Sequence, residues 1–215
     1  MSMKRWIVLV CVALLAASLT VAIGGEKKKD KGSDETSFDL AYATYMEKAG
    51  RIEVVVSSYG ASFEEANDHF MLQVAVGVIG KFGKELDFTD ESFTLLDPAG
   101  NLYSMAPPSA LVKEIELVSY AEQLEKSQPL QLGKDFANLE QVNSDFYATR
   151  EEVAWADVHL NYDSYFSDVV FFPKPKSGFE GVFTLNVLTA GMEEPVMVRF
   201  KVPEPKQKHD KHKDG

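Results

Sequence analysis

Thiols are almost absent from this chain: the only cysteine among 215 residues is Cys11, and it sits inside an apolar N-terminal run. If that run is removed on export, no cysteine remains. Disulfides, cysteine metal sites and a thiol nucleophile are then excluded, and an ordinary apolar core must hold the domain together. Histidine is nearly as scarce, with four in all. His69 and His159 stand far apart without an HExxH partner, and His209 and His212 lie in a charged tail that supplies no framework for a metal. Gly-x-Ser-x-Gly, Ser-x-x-Lys and P-loop patterns are missing. Neither Asp87-Phe88-Thr89-Asp90-Glu91 nor Asp97-Pro98-Ala99-Gly100-Asn101 matches the donor spacing of a calcium loop. The sequence therefore names no catalytic residue, no cofactor and no metal, and it is read as non-enzymatic.

Positive charge is also in deficit. Between Phe38 and Val202, 12 Lys and Arg face 26 Asp and Glu, a net charge of −14 against −11 for the whole chain. Such a domain repels phosphate backbones, which argues against nucleic acid as a partner; solubility is the plainer use of the acidity.

What is present begins with an export signal. Lys4-Arg5 precede the uncharged apolar run Trp6–Ile23, and Gly24-Gly25 open an abruptly polar stretch. Ala22-Ile23-Gly24 offers a small-x-small cleavage site, so residues 1–25 read as a signal peptide. The run is also just long enough to span a bilayer, so an uncleaved N-terminal anchor, with membrane contact only through residues 6–23, stands as the alternative. A lipidated Cys11 is disfavoured because Val10 occupies the place where a lipobox needs a small residue. Residues 26–37 (EKKKDKGSDETS) read as a flexible linker and residues 203–215 (PEPKQKHDKHKDG) as a disordered tail, since neither holds enough apolar surface to bury.

The remaining segment, residues 38–202, is long enough for one core. Most of it has period two: Phe70, Leu72, Val74, Val76 and Val78 alternate with smaller or mixed residues, as do Phe183, Leu185 and Val187, and Val196, Val198, Phe200 and Val202. Ile52–Val56 and Val169–Phe172 predict shorter strands. Phe38–Ala49 fits either a strand or a short helix. Between Ser109 and Lys126 the spacing of Leu111, Ile115, Val118, Ala121 and Leu124 predicts a helix, with Ser109 as a cap and Pro129 beyond its end. A shorter helical turn is expected over Asp135–Val142. The fold class that follows is mainly β: an antiparallel β-sandwich carrying a helical insertion, about residues 109–149, at one side or end.

The stretch SFTLLDPAGNLYS predicts a hairpin. Asp97 can bond its own backbone, Pro98 presets φ, and Gly100 or Asn101 tolerates φ > 0. Two surfaces suggest a ligand or partner: the helical insertion, and NYDSYFSD, where Tyr162, Tyr165 and Phe166 among Asp163 and Asp168 could stack on a sugar ring or a peptide. The competing reading tucks these aromatics under the end of the sandwich. His159, flanked by Val158 and Leu160, reads as a half-exposed strand histidine.

The order FMLQVAVGVIG, DESFTLLDPAGNLYSM, a helical segment, FSDVVFFPKPKSGFEGVFTLNV and EPVMVRFKV resembles the immunoglobulin-like β-sandwich domains of uncharacterised bacterial secreted proteins and lipoproteins. It covers about Ile52 to Val202, and its most specific part is the S-F-x-L-x-D-x-x-G-x-x-Y hairpin. The resemblance implies fold and location, in the periplasm or outside the cell, and a role in binding an envelope or extracellular protein. It brings no catalytic residue. The long insertion departs from the family's simplest form. A carbohydrate-binding or glycoside-hydrolysing domain and a structural envelope spacer are the alternative expectations.

Overall fold

The structure, a computed structural model, describes residues 35–62, 68–80, 85–144, 146–147 and 157–204. The signal peptide or anchor, most of the linker, the tail beyond residue 204 and the end of the insertion lie outside the described residues. In chain order the elements are β1 (Phe38–Ala41), β2 (Thr44–Ala49), β3 (Ile52–Ser57), β4 (His69–Val78), β5 (Leu86–Phe88), β6 (Phe93–Leu96) and β7 (Leu102–Ser104). After them come α1 (Pro108–Leu111), α2 (Ile115–Ser127), β8 (Glu140–Gln141), β9 (Val158–Leu160), β10 (Ser164–Pro173), β11 (Phe183–Val187) and β12 (Val196–Phe200). The domain is mainly β, built from several sheets whose strands pair antiparallel except at β8, which joins β10 in parallel.

Six strands form the largest sheet, in the order β1-β2-β3-β4-β10-β8; four form a second, β12-β11-β6-β7; and β5 pairs with β9. The predicted alternation sorts one set of residues to each face. Ile52, Val54, Val56, Phe70, Leu72, Val74, Val76, Phe166, Val170 and Phe172 of the large sheet share one buried cluster with Phe93, Leu95, Phe183, Leu185, Val187, Val196, Val198 and Phe200 of the smaller one. Each fully buried apolar side chain of this size contributes about 1.5–3 kcal/mol relative to exposure, so this cluster dominates the stability of the domain.

The other face of the large sheet is also covered, which alternation alone did not foretell. Met71, Val169 and Phe171 pack under Leu111, Leu117, Ala121 and Leu124 of the helical insertion. Farther along, Val55 and Ala75 pack under Phe136. The insertion thus lies along one side of the domain, over a sheet face, and not at an end. It is also less helical than its spacing predicts. The helix breaks at Val112–Glu114, where Glu114 turns to His69 at the start of β4 (Oε1 to Nδ1, 2.5 Å). Ser109 caps nothing; Pro107 and Pro108 start α1 instead. The turn expected over Asp135–Val142 is a 3₁₀ turn, Lys134–Asn138, that runs into β8.

Phe38–Ala49 resolves as the β1–β2 hairpin, which turns through Ala43 at a φ of 54°. The DPAGN hairpin forms as the turn chemistry predicts: β6 and β7 pair, Gly100 takes a φ of 87°, and its N–H bonds the Asp97 carbonyl at 3.0 Å. β11 and β12 also pair antiparallel, the hairpin expected across the loop at residues 189–194.

Candidate functional site

Strand geometry divides the residues singled out in NYDSYFSD. Phe166 is fully buried, edge-on to Phe88, Phe93 and Phe146, because its position in β10 faces the shared core. Its place on a ligand surface is corrected accordingly. Tyr165 faces the opposite side of the same strand. Its ring lies edge-on to Phe136 at 5.3 Å and its hydroxyl is 3.2 Å from Gln141 Oε1. Asp163, at a φ of 53°, accepts the Gly80 N–H at 2.7 Å, so it works as a turn residue. Tyr162 is the one aromatic of the stretch that is broadly exposed, at 58%. The four side chains therefore do not converge on one platform.

His159 lies on β9 between the inward-facing Val158 and Leu160, as its flanks predict. Its Nδ1 is 2.6 Å from Asp87 Oδ1 across the β5–β9 pair, and both side chains are open to solvent. The hydrogen bond and the charge of Asp87 raise the histidine pKa.

An open cleft of about 400 Å³ occurs elsewhere, between the β1–β2 hairpin and the chain that leaves β12. Asp39, Tyr42, Tyr45, Lys201 and Glu204 supply its functional groups. Ser58 ties its two sides together. This fully buried serine follows β3; its N–H bonds the Ala43 carbonyl at 2.9 Å, and its hydroxyl donates to the Lys201 carbonyl at 2.6 Å. The hairpin turn and the end of β12 are thereby held to one point. A second tie lies nearby, where Ser37 donates its N–H to Arg199 O (2.8 Å) and accepts the Arg199 N–H on its hydroxyl (2.9 Å).

Two tyrosines set the walls of the cleft. Tyr42 is exposed and stands edge-on to Tyr59 at 6.2 Å; Tyr45 leans on Phe200 at 6.3 Å. Burial raises the pKa of Tyr45, a hydrogen bond with the Lys201 backbone opposes the rise, and the charge of Asp39 adds to it. Its phenol therefore stays protonated at neutral pH, able to donate and to accept. With two carboxylates and one ammonium alongside, the cleft can match amide groups and charges of either sign while the rings supply apolar contact area.

None of these residues stands out in the sequence. They come from opposite ends of the domain, and the segment at 38–49 carries no pattern stronger than an undecided strand or helix. Only the packing of β12 against the first hairpin brings them together.

No protein-family model and no curated protein matches the chain. Among solved structures, the chain is similar to one described as a "putative lipoprotein (ycdA)" from Bacillus subtilis subsp. subtilis str. 168, at 15% identity and a TM-score of 0.33. The alignment covers 75% of this chain and 39% of that one, so the chain spans well under half the length of this neighbour.

Proposed function

We propose that this is an exported, non-catalytic protein whose immunoglobulin-like β-sandwich binds an extended peptide segment of an envelope or extracellular protein at the cleft beside β1. The observation that carries this reading is the cleft itself, bounded by Asp39, Tyr42, Tyr45, Lys201 and Glu204 and flanked by β1, the end strand of the six-stranded sheet. An end strand offers backbone groups to an added strand, and pockets beside it select the side chains of that strand. The leader-like residues 1–25 and the acidic, phosphate-repelling domain support export and a protein partner.

The insertion is a weaker candidate for the binding surface. Its Leu111, Leu117, Ala121 and Leu124 are spent on the sheet, and among its described residues Val112 is the one large apolar side chain that is mostly exposed.

Photocrosslinking tests the assignment. A benzoylphenylalanine is placed at Tyr42, Val112 or Tyr162, and the protein is irradiated in native envelope. The reading expects adducts from position 42 that vanish when Asp39→Lys and Lys201→Glu reverse the charges of the cleft. Adducts arising equally from positions 112 or 162, or none at 42, would overturn it. N-terminal sequencing of the exported protein separates a cleaved signal from an anchor.

A further inference from the structure

Two carboxylate oxygens among the described residues are buried without a hydrogen-bond partner, Glu53 Oε1 and Glu114 Oε2. Both lie where the insertion meets the large sheet. Glu114 has His69 on its other oxygen. Glu53 is the more exacting case. It interrupts the apolar run Ile52–Val56, is 2% exposed, and lies in register with Lys48 of β2 and Gly77 of β4 on the outer sheet face.

The segment at 130–141 closes over Glu53. Gly133 approaches so tightly that a Cβ there would stand 2.6 Å from Glu53 Oε1 and 2.8 Å from Met46 Sδ. Asp135 follows two residues later; it holds Lys48 Nζ at 3.0 Å, and its carboxyl is close enough to that of Glu53 for each to shift the other. Two carboxyl groups in contact at low dielectric cannot both ionise without large cost. Asp135 is open to solvent and paired with Lys48, so it carries the negative charge. Glu53, sealed from water, is the one of the two that keeps its proton to higher pH, and while it does so it can donate to Asp135.

We propose that the proton on Glu53 fastens residues 130–141 to the outer face of the sheet, and that its loss as pH rises releases this segment and bares the apolar strip beneath. An ionised Glu53 needs water, and the segment around Gly133 and Asp135 is what excludes it. Around Glu53 the segment is otherwise held by Phe136 over Val55 and Ala75 with Leu130, Leu132 and Leu139 beside it, by Tyr165 against Phe136 and Gln141, by the exposed Lys48–Asp135 pair, and by two backbone bonds, Glu140 N–H to Asp163 O and Val142 N–H to Tyr165 O, both 2.8 Å. What its release exposes is therefore this one strip and not the main core. The charged and titratable groups facing this site are Lys48 from β2, Lys134 and Asp135 from the segment and, farther off, Tyr165 from β10; β4 presents Gly77.

The sign follows from the direction of the shift. Burial raises the pKa of Glu53 above its ordinary value, the charge and hydrogen bond of Asp135 raise it further, and Lys48 and Lys134 oppose them. Docking is therefore fully supported below the ordinary carboxylate range. It weakens as pH rises towards the raised pKa, and levels off above it.

Amide exchange measured by NMR on the full chain tests this. The protection factors of Glu140 and Val142, corrected for intrinsic exchange, should fall up to about tenfold per pH unit between the ordinary carboxylate range and the midpoint of Glu53, then flatten. Val170 and Phe172, paired with Leu72 and Phe70 in the β4–β10 ladder, should not follow. In Glu53→Gln the protection at Glu140 and Val142 should become independent of pH. In Asp135→Asn the midpoint of Glu53, read from its carboxyl carbon, should drop and the fall in protection should move to lower pH. Constant protection in the unmodified protein, an equal fall in Glu53→Gln, or an Asp135→Asn variant whose profile does not move would each overturn the proposal. The asparagine variant decides the matter by itself if the glutamine variant does not fold.

Discussion

Replacing Asp97 by Asn alters little in volume and removes one charge, and the effect should be large for a loop residue. Asp97 is 3% exposed and accepts five hydrogen bonds. The N–H groups of Ala99 and Asn101 reach Oδ1 at 2.9 and 2.8 Å; Asn101 Nδ2, Tyr103 Oη and Ser177 Oγ reach Oδ2 at 2.9, 3.0 and 2.9 Å. Tyr103 Oη in turn accepts the Lys176 N–H, so one carboxylate closes the β6–β7 hairpin and ties it to the loop between β10 and β11. Burial by itself would raise the pKa of Asp97, but the bonds from Asn101, Ser177 and Tyr103 prevail and bring it from 3.8 to about 2. That shift corresponds to at most about 2.5 kcal/mol in favour of the folded state. Pro98, Ala99 and Gly100 are open to water, and screening there reduces the figure to roughly 1–2 kcal/mol. The asparagine amide also turns a donor towards donors, so the total loss should be about 2 kcal/mol.

A folded-state pKa below the unfolded one stabilises above the unfolded value, and this stability disappears as pH falls through about 2. Urea unfolding near pH 7 should therefore show the Asn variant about 2 kcal/mol less stable, or a thermal midpoint about 4–8 °C lower. Most of this gap should close when the comparison is repeated near pH 2. A difference under about 0.5 kcal/mol at neutral pH, the size of an ordinary surface change, would refute the reasoning. So would a difference that does not depend on pH.

Gly133→Ala should destabilise by about 1–3 kcal/mol, seen as a lower urea midpoint at unchanged slope, because its methyl meets Glu53 Oε1 and Met46 Sδ and the backbone must shift. Phe166→Ala should cost about 3–5 kcal/mol by the same assay, since it empties the space among Phe88, Phe93 and Phe146, whereas Tyr162→Ala should stay within about 0.5 kcal/mol. His159 should titrate above its ordinary 6.5 in an NMR pH series and return towards it in Asp87→Asn, because the hydrogen bond and charge of Asp87 favour the imidazolium. Its contribution to stability is present at acid pH and is lost as pH rises through the raised value.

Strands with one clean period were legible because one side of each faces the shared core. Phe183, Leu185 and Val187, and Val196, Val198 and Phe200, sit where their alternation places them. The SFTLLDPAGNLYS hairpin was legible for a different reason: Asp97, Pro98 and Gly100 act on their own neighbours within a few residues, and local chemistry survives in sequence. The second partner of Asp97 does not. Ser177 is 80 positions away and enters only when two loops meet. The aromatic loop failed for a physical reason too: Tyr165 and Phe166 are adjacent in sequence, and adjacent strand residues face opposite ways, so one packs under the insertion and the other enters the core. Glu53 was passed over as one charge in an apolar run, though a lone acid among β-branched residues was itself a signal that something must cover it.

A mainly β chain of alternating strands, the place and chemistry of one hairpin, an excess of acidic residues and a near absence of thiols all depend on composition or on neighbours along the chain, and so are readable without coordinates. Tertiary structure alone decided that the insertion covers the outer sheet face, that Glu53 lies sealed beneath Gly133 beside Asp135, and that Tyr42 and Tyr45 meet Lys201 and Glu204 across a cleft. Those contacts join residues from distant parts of the chain, and their energies, the desolvation of a carboxyl or the meeting of two rings, exist only once the sheets have packed.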